Sequence, residues 1–523
     1  MSITKEDIGE LRNALIVLNG VVLRLLDKLP DDQEPSNTNK RDFREELDRL
    51  FHSYSTGDMG IADSKAPEPL HGSAFVENLQ RKSDNMDALR EAKQNRMVRS
   101  PVTSNTPGCE WSGNKNQVRI HGPIKDGILE GDEFIVTESG SLSNCIIKTG
   151  GVVHNASITN CQLAMGSVTV LGSKAVMSDC CINSGGKLQI WSSGASAVRT
   201  TVYGGGYFMV AHGAEADFVD IKGGGSVCVS DTGCLTSAVV SSGGNLFVIS
   251  AGKTVQHINV LKYGKAHVGN CTVGALNGYG VGNKLTVGSG ATVCHMACND
   301  GDVQVLGKVQ NCNLQNANLE IFRDAHVYSA LADSGAHIGI GWNASAWRCS
   351  VRTGAKIYVG TSGSLTELAA TDANTSVYVS AGGYINGGRL GEKASCNNQG
   401  HINSIDVSGY GTKMTVSSGG TVNITRVYQS GFVEVQEGAG MNAIDVFDGD
   451  IVVSSGGSVA EVTLRDGWLR VMPGAVVSKC IQSGGTIIVS SGGICKVDNR
   501  GSGSIETVRG GYSYVMHTKE NDE

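Results

Sequence analysis

Proline is scarce in this chain, 8 residues in 523, and aromatic residues make up only 5 %. Charge is sparse too, at 18 %, and it lacks a positive excess: 43 Lys and Arg face 50 Asp and Glu, for a net charge of −7. That excludes a nucleic-acid partner held through a basic surface. No apolar run reaches the ~18 residues that a membrane-crossing helix needs, so no integral membrane segment is expected. A propeller needs blades of ~40–50 residues with aromatic signatures, and these are missing. Collagen is excluded because no Gly-X-Y period runs through the sequence.

What the chain does have is glycine. There are 71, about twice the usual ~7 %. Abundant Gly with little Pro and few aromatics implies a repeating β structure with many tight turns.

Charge divides the sequence into two parts. Residues 1–100 hold 33 of the 93 acidic and basic residues, and the rest is rich in Gly, Ser, Val, Thr and Asn. We expect a helical head over 1–54, a linker with a further helix over 55–109, a repeat domain over 110–515 and a polar tail over 516–523. In the head, Ile8, Leu11, Leu15, Leu18, Val22, Leu25 and Leu29 alternate spacings of three and four, which is a heptad seam closed by Pro30. One helix packed on its own chain, a short oligomerising coiled coil and a membrane-surface helix all fit this stripe. We expect the coiled coil to hold a homo-oligomer, a trimer, through residues 1–100. Further helices are expected at about 40–54 and 73–97. The apolar segment 14–23, ALIVLNGVVL, has a mixed-sign flank and no A-x-A-like cleavage site, so it is not expected to be a cleaved signal.

Fifteen cysteines run from Cys109 to Cys495, mostly single among Val, Ile and Gly. An odd number spread in this way reads as buried thiols, not a disulfide framework. Synthesis and folding in a reducing cytoplasm follows. The final site stays open between virion tail, cell surface and cytoplasm. Cys294, His295 and Cys298 form the one tight Cys/His group. Zinc needs about four ligands, so no metal and no cofactor are expected.

The body repeats. Gly-Gly steps fall at 185–186, 204–205, 224–225 and 243–244, each followed by a short alternating strand. The inward pairs are Leu188 and Ile190, Phe208 and Val210, Val227 and Val229, Leu246 and Val248, then Ala266 and Val268, at intervals of 19 or 20 residues. A further apolar position precedes each step at Val202, Ile221, Val240 and Val260. Ser-Ser-Gly-Gly returns at 417–420 and 454–457, while 270–410 is degenerate but keeps the rhythm. A 19-residue unit cannot bury an apolar face alone, but stacked copies build a continuous core. The expected fold is all-β, a right-handed parallel β-solenoid of roughly 19-residue coils with a small α-helical N-terminal head.

These Ser-Ser-Gly-Gly-x-φ-x-φ units (φ apolar) resemble the passenger repeats of AIDA-type autotransporter adhesins, over about 185–270 and 410–500. The resemblance implies a β-helical stalk that carries adhesion. The chain departs from the family in its many cysteines, in its apolar segment near the start, and in a C-terminus, GGYSYVMHTKENDE, unlike a translocator barrel.

Three functions compete. The first is a non-catalytic adhesive rod of the surface or phage-tail type, anchored by its head and binding a glycan or protein receptor. The second is an intracellular scaffold assembling end to end. The third is a polysaccharide-degrading spike. Trp342 and Trp347, with Tyr328 and Tyr358 near them, interrupt the repeat and are candidates for a sugar platform. Asp445, Asp448 and Asp450 are the candidates for paired acid and base, although Asp-Gly is equally a turn dipeptide. No catalytic residue is assigned, and enzyme activity is left open, weighted against.

Overall fold

The computed structural model describes residues 99–111, 117–241, 243–499, 501–508 and 512–517. The heptad seam and the helices expected at 40–54 and 73–97 lie outside the described residues.

Each coil contributes to two sheets. It lays a short strand in one and a longer strand in the other, with a tight turn at each side. The coil of Lys356–Val359 and Ser364–Ala370 is typical, and the next, Ser376–Val379 and Tyr384–Leu390, sits on it in parallel register. Among the described residues the short-strand sheet has 23 strands, all parallel except Cys109–Trp111. Among the same residues the long-strand sheet has 29 segments because several coils split their strand in two. The fold is thus an all-β parallel solenoid of the right-handed type.

Why this sequence coils is visible in one turn of chain. In 355–370, Ile357 and Val359 point inward from the short strand. Leu365, Leu368 and Ala370 point inward from the long one. Strict alternation would carry the inward set from Leu365 to Glu367, but Glu367 is exposed, and its φ of 63° bends the strand there. Arg199, Phe218 and Arg348 bend their strands in the same way, at φ of 54–56°. The inward spacing is therefore three across the bend and two after it. This explains why only the last apolar position of each long strand stood out in the sequence.

The turns set the glycine content. In Ser417–Gly420 the backbone doubles back with Gly420 N–H on Ser417 O at 2.8 Å. Gly419 has φ +79°, as the third residue of a type II turn requires. Gly420 is needed for a different reason: a Cβ there would lie 2.3 Å from the carbonyl oxygen of Asn398 in the coil beneath.

All the inward pairs read from 188 to 268 are buried, as are Val202, Ile221, Val240 and Val260. The degenerate stretch is still solenoid, with coils of uneven length. Val287 and Val305 are 18 residues apart and stack directly, as do Val305 and Ile321, 16 apart. In the shorter coil the turn between strands is only Leu306-Gly307. At Asn398 a polar residue takes the inward place held by Val379 and Val416 in neighbouring coils. Its amide is satisfied internally, donating to Thr421 O at 3.1 Å and accepting from Gly400 N–H at 3.0 Å.

At the N-terminal end, Cys109–Trp111 runs antiparallel along the first short strand, Gln117–Ile120. At the other end the strand Tyr512–His517 pairs with Ile494–Asn499.

Candidate binding face on the long-strand sheet

The core fixes which residues must face out. In the first half of each long strand, the residues flanking the first inward position project from the sheet. Parallel stacking then lines up equivalent residues from coil to coil, about 4.8 Å apart. One such column is His326, Ser345, Ser364, Tyr384, His401 and Thr421. Two residues further along runs a second column: Tyr328, Trp347, Thr366, Asn386, Asn403, Asn423 and Asn442.

The second column is tied along its length. Asn403 Nδ2 donates to Asn386 Oδ1 at 3.0 Å, Asn423 Nδ2 to Asn403 Oδ1 at 3.0 Å, and Asn442 Nδ2 to Asn423 Oδ1 at 2.8 Å. The inner amides, Asn403 and Asn423, each spend one donor and one acceptor on their neighbours and keep the others for a ligand. In the first column Tyr384 stacks on His401 with ring centroids 5.3 Å apart, and His401 Nδ1 meets Thr421 Oγ1 at 2.8 Å.

At one end of this strip lies a shallow groove of about 270 Å³. His326, Tyr328, Ser345, Trp347, Ser364 and Thr366 line it, together with Val327 and Ala346. Tyr328 is 47 % exposed and Trp347 45 %. The Trp347 indole N–H is hydrogen-bonded to the Glu367 carboxylate. Arg348 reaches the same carboxylate at 2.9 Å, with its guanidinium 5.8 Å from the Trp347 ring. The Trp347 bond, then the Arg348 bond, hold Glu367 below the usual carboxylate range. The ring is therefore oriented before any ligand arrives. An exposed aromatic face beside hydroxyls and an imidazole suits a ligand with an apolar face and a polar edge.

The sequence candidates fall in different places. Trp347 lines the groove, and Tyr328 sits beside it. Trp342 does not line it: it is in the turn before that strand, where the Arg323 guanidinium lies 4.3 Å from its ring centre. Tyr358 is on the opposite, short-strand sheet, with its hydroxyl hydrogen-bonded to Ser380. The three aspartates are also dispersed. Asp445 is on the long-strand sheet and Asp450 on the short-strand sheet, with Asp448 exposed in the turn between. Arg465 holds Asp445 through two hydrogen bonds. Of the Cys/His group, Cys298 faces the core and His295 faces out.

Sequence reasoning missed His326, Ser345, Ser364, Thr366, Tyr384, His401 and the four asparagines. The signal was present: Asn386, Asn403, Asn423 and Asn442 recur at intervals of 17, 20 and 19. Only alignment of coil on coil turns that spacing into a column.

Fold and face together define a parallel β-solenoid with a ladder of outward polar and aromatic side chains. No family profile matches the chain, and no curated protein matches it. Among solved structures it is similar to a crystal structure of a TibC-catalysed, hyper-glycosylated TibA fragment. The identity is 21 %, the match covers 70 % of this chain and 99 % of that one, and the TM-score is 0.29.

Proposed function

We propose that this chain is a non-catalytic, elongated binding rod of the adhesin type, and that the two columns on the long-strand sheet are its binding face. The observation that carries this is the strip itself: exposed aromatic rings, hydroxyls and amides held in register over seven coils, from Tyr328 to Asn442. Such a surface binds by many equivalent weak contacts, which a repeat array supplies at no cost in new folding. The AIDA-type resemblance of the repeats points the same way.

Two observations weigh against the other functions. End-to-end assembly needs open edges, and the first short strand already carries Cys109–Trp111 on its outer edge. Glycan cleavage needs two carboxylates converging on one bond. Here Asp445 is ion-paired, and Asp450 lies on the other sheet.

Beads coated with the full chain test this. They are expected to bind immobilised cell-surface glycoproteins saturably, and to release no reducing ends from polysaccharide. Sustained release of reducing ends would make the protein a hydrolase, and an absence of saturable binding would remove the adhesin reading.

A further inference from the structure

The binding-rod proposal leaves the ligand open, and the geometry of the strip narrows it. Its equivalent side chains repeat with the coil rise of about 4.8 Å. That is close to the length one pyranose unit adds to an extended, linear polysaccharide. A glycan laid along the solenoid axis would therefore meet one new coil for each new sugar. A glycan laid across the strands would meet the strip at only one or two units.

Charge narrows the ligand further. Two charged pairs bordering the strip are matched internally. Arg348 pairs with Glu367 at 2.9 Å and Arg426 with Asp406 at 2.8 Å. The columns between them carry hydroxyls, amides, aromatic rings and two imidazoles. The two columns themselves hold no Asp, Glu, Lys or Arg, and they offer hydrogen bonds in both directions.

We propose that the strip from Tyr328 to Asn442 binds a neutral, linear polysaccharide running parallel to the solenoid axis. A sugar ring stacks on Trp347 in the groove, with Ser345, Ser364 and Thr366 at its polar edge. Successive rings follow past Tyr384 and His401 and along the asparagine ladder. The ladder fixes its own amides, so little side-chain freedom is lost on binding. This inference rests on the binding-rod reading and adds the ligand class, the direction and the number of units.

The test is calorimetric titration of the full chain with two neutral series, β-1,4-linked glucose and β-1,4-linked N-acetylglucosamine oligomers of one to ten units. Oligogalacturonates of the same lengths serve as the charged comparison. In at least one neutral series, affinity is expected to climb with each added unit and to level off at about seven, the number of coils in the strip. Trp347→Ala, an exposed position, is expected to weaken binding about tenfold at every length. Asn403→Ala with Asn423→Ala is expected to move the plateau down to about four units, the coils before the cut. Far-UV circular dichroism checks that each variant is folded. The inference is overturned by affinity that stops rising after one or two units, by tighter binding of oligogalacturonates, or by no binding of either neutral series at millimolar concentration. Coated beads that still adhere in those cases would leave the adhesin function standing and remove only the ligand assignment.

Discussion

Arg465 grips Asp445 from the following coil, with Nε on Oδ1 at 3.1 Å and Nη2 on Oδ2 at 3.3 Å. The same guanidinium lies 4.7 Å from the ring centre of Phe447, which in turn stacks on Tyr428. Two coils earlier Arg426 holds Asp406 in the same bidentate manner, and Arg426 stands beside Asp445 in the ladder. Asp445 thus belongs to a row of alternating charges that stitches coils together.

From this, Asp445→Asn is expected to leave bead adhesion unchanged and to lower the melting temperature by no more than a few degrees, because exposed ion pairs contribute little. Parallel melts and adhesion assays check it. A large loss of adhesion with an unchanged melt would place Asp445 in the binding site instead.

The core positions allow a stronger statement. Val229 and Val248 are fully buried and stack directly on one another. Val229→Asp or Val248→Asp would leave an uncompensated carboxylate in the apolar ladder, at a cost of several kcal/mol, on the order of 4. Loss of soluble protein is the expected result, read from the soluble fraction on expression.

The two glycines of one turn should respond differently. Gly419 has open space around its Cβ position and fails as Ala only through its φ of +79°. Gly419→Asn is expected to cost well under ~1 kcal/mol, since Asn tolerates this conformation, and Gly419→Ala ~1–2 kcal/mol. Gly420→Ala is expected to cost more, because the clash is with backbone and neither partner can swing away. Urea midpoints of the three variants give the order.

The thiols predict an alkaline limit. Burial pushes Cys180, Cys349 and Cys396 up to about 12 from a reference of 9.0. Between those values the unfolded chain has lost protons that the folded chain keeps. The contribution of these thiols to stability is therefore constant below about pH 9 and falls as pH rises from there towards 12. Replacing Cys396 by Ala should make this fall shallower, as melts between pH 8 and 11 will show. Titration with a thiol reagent at pH 8 is expected to find few reactive groups without denaturant and nearly all 15 with it. All are free, and nine are buried.

For the head, we expect an oligomer that dissociates when Leu15→Asp and Val22→Asp are combined in the full chain. Light scattering on both proteins measures it. A parent chain already monomeric at micromolar concentration would make the head a docking module for another protein.

By itself the sequence determined the coil. A period of 19 to 20 residues, inward pairs such as Leu246 and Val248, and glycine at the turns are local facts, imposed by strand alternation and by the φ a turn requires. They carry the fold without knowledge of any contact. The free thiols were legible for the same reason, because single cysteines in apolar positions behave as small hydrophobes. Which coils count as degenerate was less legible: Asn398 looks wrong for a core until Thr421 O and Gly400 N–H are seen to satisfy it. Only the tertiary structure decided the face. Trp347 and Thr366, or Asn403 and Asn423, are far apart in sequence and become neighbours through stacking register. That register depends on the length of every intervening turn. The long strand also hid its pattern, since the bend at residues such as Glu367 shifts the alternation midway. Trp342 and Trp347 are five residues apart, yet one sits on Arg323 at a turn and the other lines the groove, because the first belongs to the turn and the second to the strand that follows it. Proximity along the chain fixes what a residue is near in its own coil, and stacking fixes what it works with.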